Sequence, residues 1–234
     1  MNKVICSICS SENFILNLKC TNCGGIIREI VRTINLGDTL RDLLLYPTIA
    51  IKKILFSEHK NYLLLLLFLL GFKLTVIFFY TNSIYDQDLG ISILNLSIYV
   101  LIYWVTFTLF SGFILQVLLR IFLRQNFYYK NSLSVIMYST SYFSILGFFL
   151  FILEMMLFGI NFFSKNPDIF QVNFYKAYAV IGMELIILFY SAYLFISFLV
   201  FILQKKFIAF LLFFMFFVTI LIGNEILKNI IGIN

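Results

Sequence analysis

The chain has 234 residues and a formal net charge of +6, and only 12% of its residues are charged, far below the roughly 25% that is usual in soluble domains. With 62% hydrophobic residues, 30 Phe and 14 Tyr, this composition excludes a water-soluble globular domain and indicates an integral membrane protein. Two prolines and eleven glycines, without any Ser/Gly-rich tract, also exclude a long disordered linker.

The first element along the chain is a pair of cysteine motifs in the stretch CSICSSENFILNLKCTNCGG. All four cysteines of the chain lie in Cys6-x2-Cys9 and Cys20-x2-Cys23. This spacing is typical of two knuckles that close a tetrahedral thiolate site around zinc, and two glycines after the second motif suit its tight turn. A redox pair is disfavoured because no βαβ pattern surrounds either motif. Four thiolates leave no open position on the metal, so we expect a structural zinc and no hydrolytic chemistry there.

Three regions are predicted along the chain. Residues 1–25 are expected to form the zinc ribbon, residues 26–61 a set of amphipathic interfacial helices, and residues 62–234 a transmembrane bundle. We expect the N-terminus to be retained in the mature protein, because the first 61 residues contain no unbroken apolar stretch as long as the core of a signal peptide.

The middle region combines apolar residues at helical spacing with basic residues. Apolar positions recur over residues 26–34, Asp38 is a candidate cap of the next short helix, and Pro47 suits the first turn of another. Such helices either lie in the headgroup plane of an anionic leaflet or pack on the cytoplasmic mouth of the bundle, and the sequence leaves both open. The candidate headgroup contacts are Lys52, Lys53, His59 and Lys60.

The rest of the chain is long enough for five apolar spans. A helix needs about 20 residues to cross the hydrocarbon layer, and the apolar runs lack the alternation of an outer-membrane barrel. The fold class predicted is therefore all-α, a five-span transmembrane helix bundle with a small N-terminal cytoplasmic zinc ribbon. The predicted spans are 62–80, 91–119, 133–163, 177–203 and 207–223, the last of them short and joined to the fourth by a tight hairpin.

Basic residues set the predicted orientation. Thirteen of the seventeen Lys and Arg residues precede the first span or lie between spans two and three or four and five. An excess of basic residues marks the cytoplasmic side, so the N-terminus is expected in the cytosol and the C-terminus outside, in a bacterial inner membrane. A reducing cytosol also favours zinc over disulfides at the four cysteines.

Three charges fall inside the predicted spans. Lys73 lies in span one, Glu154 in span three and Glu184 in span four, each about 10 to 14 Å below the predicted outer surface at 1.5 Å per residue. A lone charge at such a depth costs at least about 2 to 3 kcal/mol, so these residues are expected to turn inward and pair. The cluster is interpreted either as a structural clasp or as a proton-linked or substrate-linked site, while snorkelling of Lys73 to the headgroups is a third alternative.

Two stretches resemble the Ypt-interacting protein (Yip) family in its bacterial form. DLLLYPTIAIKKILFSEHKNYLLLLLFLLGFKL, residues 42–74, is similar to that family's entry into span one, and KNSLSVIMYSTSYFSILGFF, residues 130–149, is similar to the start of its third span. The resemblance covers roughly residues 40–223 and implies five spans with a cytosolic N-terminus. Eukaryotic members are associated with vesicle traffic and small GTPases, but this chain has a zinc ribbon in place of their cytosolic motif. A group of bacterial membrane proteins with an N-terminal zinc ribbon has a similar layout.

No catalytic motif is found: the chain has one histidine and lacks GxSxG, Walker-type and GxGxxG sequences. We therefore expect a non-enzymatic membrane scaffold or adaptor whose ribbon meets a protein partner, with anionic lipids of the inner leaflet as further partners and no nucleic acid. The alternatives are a transporter, channel or lipid-handling protein that uses the three buried charges, and an enzyme of unrecognised type. Oligomeric state is left open.

Overall fold

The computed structural model describes residues 3–14, 19–27, 31–82, 93–123, 126–164 and 166–232. Within these residues, five helical segments are long and apolar enough to cross a membrane. The spans are Leu63–Asn82, Ile93–Leu123, Ser141–Phe163, Ile169–Leu203 and Lys206–Ile231. The predicted all-α, five-span bundle is thus confirmed, with a small strand-only module before it.

The N-terminal module is built from two short strands and two cysteine turns. Strand β1 (Lys3–Ile5) pairs antiparallel with β2 (Glu12–Phe14), and the first cysteine motif forms the turn between them. An isolated antiparallel bridge between Lys19 and Ile26 closes the second turn in the same way. The two motifs are therefore held in equivalent hairpins.

The helix expected over residues 26–34 is wrong where the structure describes that region. Val31–Thr33 forms strand β3, which pairs in parallel with strand β4, Ser57–His59. A run of β-branched residues fits a pleated strand as well as a helix face, and the partner strand lies more than twenty residues away in the sequence. Residues 28–30 lie outside the described residues.

Helices α1 (Leu36–Leu45) and α2 (Pro47–Phe56) follow β3 and lead into β4. The cap of α1 is Asn35, whose side chain accepts the Gly37 N–H at 3.1 Å; the expected cap, Asp38, lies instead in the first turn. Pro47 does begin α2, as predicted, because its missing N–H is not needed there.

Both short helices belong to the core of the bundle. Leu43, Ile51 and Ile54 are buried in the same apolar cluster as residues of the spans, including Phe198. Of the two arrangements that the sequence left open, the structure thus shows packing on the end of the bundle where span one begins. The corner between α1 and α2 still exposes an apolar surface of Leu44, Leu45, Tyr46 and Ile49.

Helices α3 (Leu63–Asn82) and α4 (Ile93–Leu123) are continuous, whereas the next span is broken. Helix α5 (Tyr129–Ser139) ends before Thr140, and α6 (Ser141–Phe158) continues into a 3-10 turn, Gly159–Phe163. The single span predicted over 133–163 is therefore wrong over residues 133–140, since the observed span begins at Ser141. At the break, hydroxyls of Ser139 and Thr140 both donate to the Ile136 carbonyl, at 2.9 and 2.8 Å, and such bonds compete with the helical ladder.

The last two spans are both longer than predicted. Helix α7 (Ile169–Leu203) starts at a capping box in which Asp168 and Gln171 bond each other's backbone, and it is kinked at Asn173, whose φ of -160° and ψ of 101° are not helical. Helix α8 (Lys206–Ile231) runs past the predicted end at 223. An ion pair between Lys228 and Glu225, at 3.7 Å, fits this polar extension of α8. Gln204, at φ 58°, makes the tight turn between the two helices.

Candidate functional site

The four cysteines converge at one point of the N-terminal module. Their sulfur atoms all lie within 4.8 Å of one another. Cys6 Sγ is 3.7 Å from Cys23 Sγ, and Cys9 Sγ is 3.5 Å from Cys20 Sγ. Tetrahedral coordination at about 2.3 Å per bond would separate two sulfurs by about 3.8 Å, so these thiols fit a metal ion.

Matching backbone turns hold the two motifs. In the first, the N–H of Ser10 bonds the Cys6 carbonyl at 2.9 Å; in the second, Gly24 N–H bonds the Cys20 carbonyl at 3.0 Å. Ser10 and Gly24 both have positive φ, 56° and 71°, the left-handed conformation that favours glycine. The glycines after the second motif indicated this turn in the sequence. No glycine follows the first motif, where Ser10 takes the same conformation, so the first turn was not predicted.

Polar neighbours surround the sulfurs and were not identified from the sequence. Ser11 Oγ lies 3.0 Å from both Cys9 Sγ and Cys20 Sγ, and Asn13 Nδ2 lies 3.4 Å from Cys20 Sγ. Hydrogen bonds, of which that from Ser11 contributes most, lower the pKa of the Cys20 thiol to about 5. At Cys23 a hydrogen bond with the Gly25 backbone lowers the pKa, but the neighbouring Cys9 thiol and burial outweigh it and raise the pKa to about 12. A thiolate is the form that binds metal, so the contact with Ser11 favours the metal-binding form of Cys20.

The three predicted membrane charges converge on one small cavity between α3, α6 and α7. Lys73 Nζ donates to Glu184 Oε1. Glu154 lines the same cavity, which has a volume of about 20 Å³ and is also bordered by Tyr80. Lys73 lies near the middle of α3, about 14 Å from either end of that helix.

The three side chains differ sharply in their surroundings. Lys73 and Glu154 are buried, whereas the side chain of Glu184 is 29% exposed. Both carboxyl oxygens of Glu154 are buried without a hydrogen-bond partner among the described residues. The methylene stem of Lys73 crosses Gly147 of α6, where a Cβ would come within 2.9 Å of the lysine Cδ. Gly147 thus makes room for the lysine, a role that the sequence did not indicate.

The four proposed headgroup residues have different positions. Lys52 and His59 are exposed, and Lys53 Nζ lies 3.6 Å from Asp42 of α1. For Lys60 the expectation is wrong: only 7% of this residue is exposed. Its side-chain nitrogen donates to the carbonyls of Ile54, at 2.6 Å, and Leu55, at 3.3 Å, because these lie in the last turn of α2 and lack partners within the helix.

An apolar cleft of about 310 Å³ lies on another side of α3. Its lining includes Phe72 and Phe79 of α3, Ile98 of α4 and Phe163 of the 3-10 turn. Because the cleft lies among membrane spans and is almost entirely apolar, acyl chains suit it better than polar solutes.

Comparison of the chain with protein-family models, with curated proteins and with solved structures gives no match.

Proposed function

We propose that the protein is a non-enzymatic integral membrane scaffold or adaptor whose N-terminal module binds structural zinc and presents a docking surface in the cytosol. The observation that carries this proposal is the closed set of four thiols in a module that also exposes apolar side chains. Ile5, Ile8 and Ile26 are 67%, 69% and 58% exposed. Zinc supplies shape to a module too small for a core of its own, and exposed apolar side chains are a common feature of protein contacts.

Zinc is proposed over other metals because four thiolates in tetrahedral array suit it and leave no position for a substrate. Its binding would be the folding energy of the module. We expect Cys20→Ser combined with Cys23→Ser to release one zinc per chain and to unfold residues 6–25, while the five spans still insert. Metal analysis and proteolysis of the purified protein check this, and protein that holds no zinc when prepared without chelator contradicts it.

Photo-crosslinking tests the docking surface directly. A photoreactive residue placed at Ile8 in intact cells should give a discrete protein adduct, whereas the same residue at the exposed Asn22 should not. The adduct should disappear when Cys20 and Cys23 are replaced. Adducts with lipid alone at Ile8 would mean that the module lies on the membrane, and would contradict the docking role.

The likeness to the five-span Yip layout is part of the same proposal, supported by the span count and by Pro47 at the start of the helix before span one. The same proposal includes a cytosolic N-terminus, location in a bacterial inner membrane, and contact of the exposed Lys52 with anionic lipid. None of these requires a catalytic residue.

A transporter, channel or lipid-handling protein is the second candidate, and the buried charges and the apolar cleft favour it. Movement of a polar solute requires a wet path to the charges, but the cavity beside Glu154 has room for about one water molecule. The scaffold is therefore the better-supported function, and uptake of solute by vesicles that contain the purified protein would overturn it.

A further inference from the structure

Glu154 presents a problem of charge balance inside the bundle. One lysine and two glutamates surround the cavity, and Lys73 already pairs with Glu184. An ionised Glu154 would add an unpaired negative charge, with no hydrogen bond among the described residues, to a site that is shielded from water. Burying an unpaired charge costs several kcal/mol, and a carboxyl in that position takes up a proton instead.

Among the residues that the structure describes, no other positive charge borders the cavity. Of the side chains that border it, Lys73 and Tyr80 come from α3, Glu154 from α6 and Glu184 from α7, and all the remaining ones are apolar. A phenol is neutral at physiological pH, so Tyr80 adds no charge to the cavity. The ammonium of Lys73 is the one cation that borders the cavity among the described residues. One further positive charge is needed to balance two carboxylates.

We infer that Lys73, Glu154 and Glu184 form an intramembrane proton-binding site, in which one proton is held by the two glutamates and Lys73 pairs with the glutamate that lacks it. In the arrangement seen here, Glu154 carries the proton and Glu184 is ionised. This assignment goes beyond the docking role and does not depend on it.

The volume of the cavity favours a proton over larger ligands. About 20 Å³ accommodates one water molecule, whereas a sodium or potassium ion needs several oxygen ligands and an organic solute needs far more space. One water in the cavity would be enough to join the two carboxyl groups in a hydrogen-bonded relay.

Proton transfer within the site conserves charge. The O–H bond at Glu154 breaks, an O–H bond forms at Glu184, and the ammonium of Lys73 moves from the Glu184 carboxylate to the Glu154 carboxylate without losing a proton. Glu184, with 29% of its side chain exposed, is the less enclosed of the two carboxyl groups. Only the ammonium at the end of the lysine has to turn, while the carbons of its stem stay packed against Gly147.

Infrared spectroscopy of the purified full-length protein at neutral pH tests the assignment. The wild type should show the carbonyl stretch of a protonated carboxyl. Glu154→Gln should remove this band, and Glu184→Gln should also remove it, because Lys73 then pairs with Glu154 and ionises it. Lys73→Met should strengthen the band, since both glutamates then need a proton. Glu225→Gln, at an exposed carboxyl of α8, is the matched control and should leave the band unchanged.

The thermal midpoints of the two glutamine variants provide a second test of which glutamate carries the proton. Gln resembles a protonated Glu in shape, so Glu154→Gln should keep the thermal midpoint of the wild type, whereas Glu184→Gln should lower it. Absence of the band in the wild type, its persistence in Glu154→Gln, or a midpoint that falls in Glu154→Gln and holds in Glu184→Gln would each overturn the proposal. A wild-type midpoint that rises with sodium or potassium, with no band, would overturn it in favour of a cation site.

Discussion

Gly147 has a structural role that depends on one long side chain. Because the stem of Lys73 lies where a Cβ would be, with Cδ at 2.9 Å and Cε at 3.1 Å, any larger residue displaces a buried lysine whose ammonium is held by Glu184. Lys73 has little freedom to move aside, since it is 1% exposed. Gly147 and Lys73 therefore behave as one packing unit.

Gly147→Ala should consequently lower the free energy of unfolding, by about 1 to 3 kcal/mol as is usual for overpacking. Gly182→Ala is the matched control, because a Cβ there meets no atom within 4 Å and alanine favours a helix over glycine. Thermal unfolding in detergent should show a lower midpoint for the first variant and an equal or higher one for the second. Equal shifts in both variants would contradict the packing role.

The stability of the folded protein should depend on pH through the single residue Lys60. Burial, aided by the nearby charge of Lys130, lowers the pKa of Lys60 to about 7 from 10.5. Between these two values the unfolded chain binds the proton that the folded protein has lost. The free energy of unfolding should therefore rise as the pH increases through this window, by about 1 kcal/mol per pH unit.

Lys60→Met should remove that dependence, while Lys52→Met, at an exposed lysine of the same region, should retain it. The measurement is the thermal midpoint at several pH values above neutrality for the wild type and both variants. If Lys60→Met gives the same slope as the wild type, Lys60 does not titrate in this range.

At the scale of elements, two tyrosines attach helix α1 to the spans. Tyr142 of α6 donates to the Leu40 carbonyl, and Tyr190 of α7 donates to the Leu43 carbonyl at 2.9 Å. Their rings also touch edge to face, with centroids 5.3 Å apart. Leu43 lies in the last turn of α1, whose carbonyls have no partner within the helix, so Tyr190 satisfies a group that would otherwise be unpaired.

Tyr142→Phe combined with Tyr190→Phe should loosen α1 and α2 while the spans stay folded. Each lost hydrogen bond should cost about 1 kcal/mol. Hydrogen exchange followed by mass spectrometry should show faster exchange over residues 36–56 and little change in α3 or α4. Tyr175→Phe, at an exposed tyrosine of α7, is the control, and equal exchange in all three proteins would mean that apolar packing alone holds α1.

At the scale of the whole molecule, the orientation in the membrane is a prediction from basic residues. The sequence suggests Asp86 and Arg124 as loop positions at which labelling could test this orientation, but both lie outside the described residues. Tyr128, in the connection before α5, and Asn166, before α7, are exposed and lie at opposite ends of the bundle. Cysteines placed at these two positions can therefore report the sides of the membrane.

Asn166→Cys should react with an impermeant thiol reagent added to intact cells, and Tyr128→Cys should react only after the membrane is opened. The protein without an introduced cysteine is the reference, because its native cysteines should not react in intact cells. The reverse pattern would contradict the proposed orientation and, with it, the proposal that the four cysteines bind zinc in a reducing compartment.

How far the sequence could predict each feature depends on the range of the interactions behind it. The five spans were recognised because apolar length is a local property, although the break at Thr140 and the late end of α8 were missed. The convergence of the four thiols could be predicted because the spacing of the two Cys-x2-Cys motifs is typical of a four-thiolate metal site. Residues 31–33 were misread as helical because their partner strand, Ser57–His59, lies beyond any local pattern.

The sequence by itself determined the membrane class, the number of spans, the four thiols that could hold a metal ion and the presence of three charges that lipid does not tolerate. These follow from composition and from periods of a few residues. Only the tertiary structure decided that Lys73 pairs with Glu184, 111 residues away, that Glu154 is left without a partner among the described residues, and that Lys60 is buried against α2. Each of these features depends on which helices are in contact and on how they are aligned along the bundle axis. Packing between segments that are distant in the sequence sets this alignment, and no local sequence pattern predicts it.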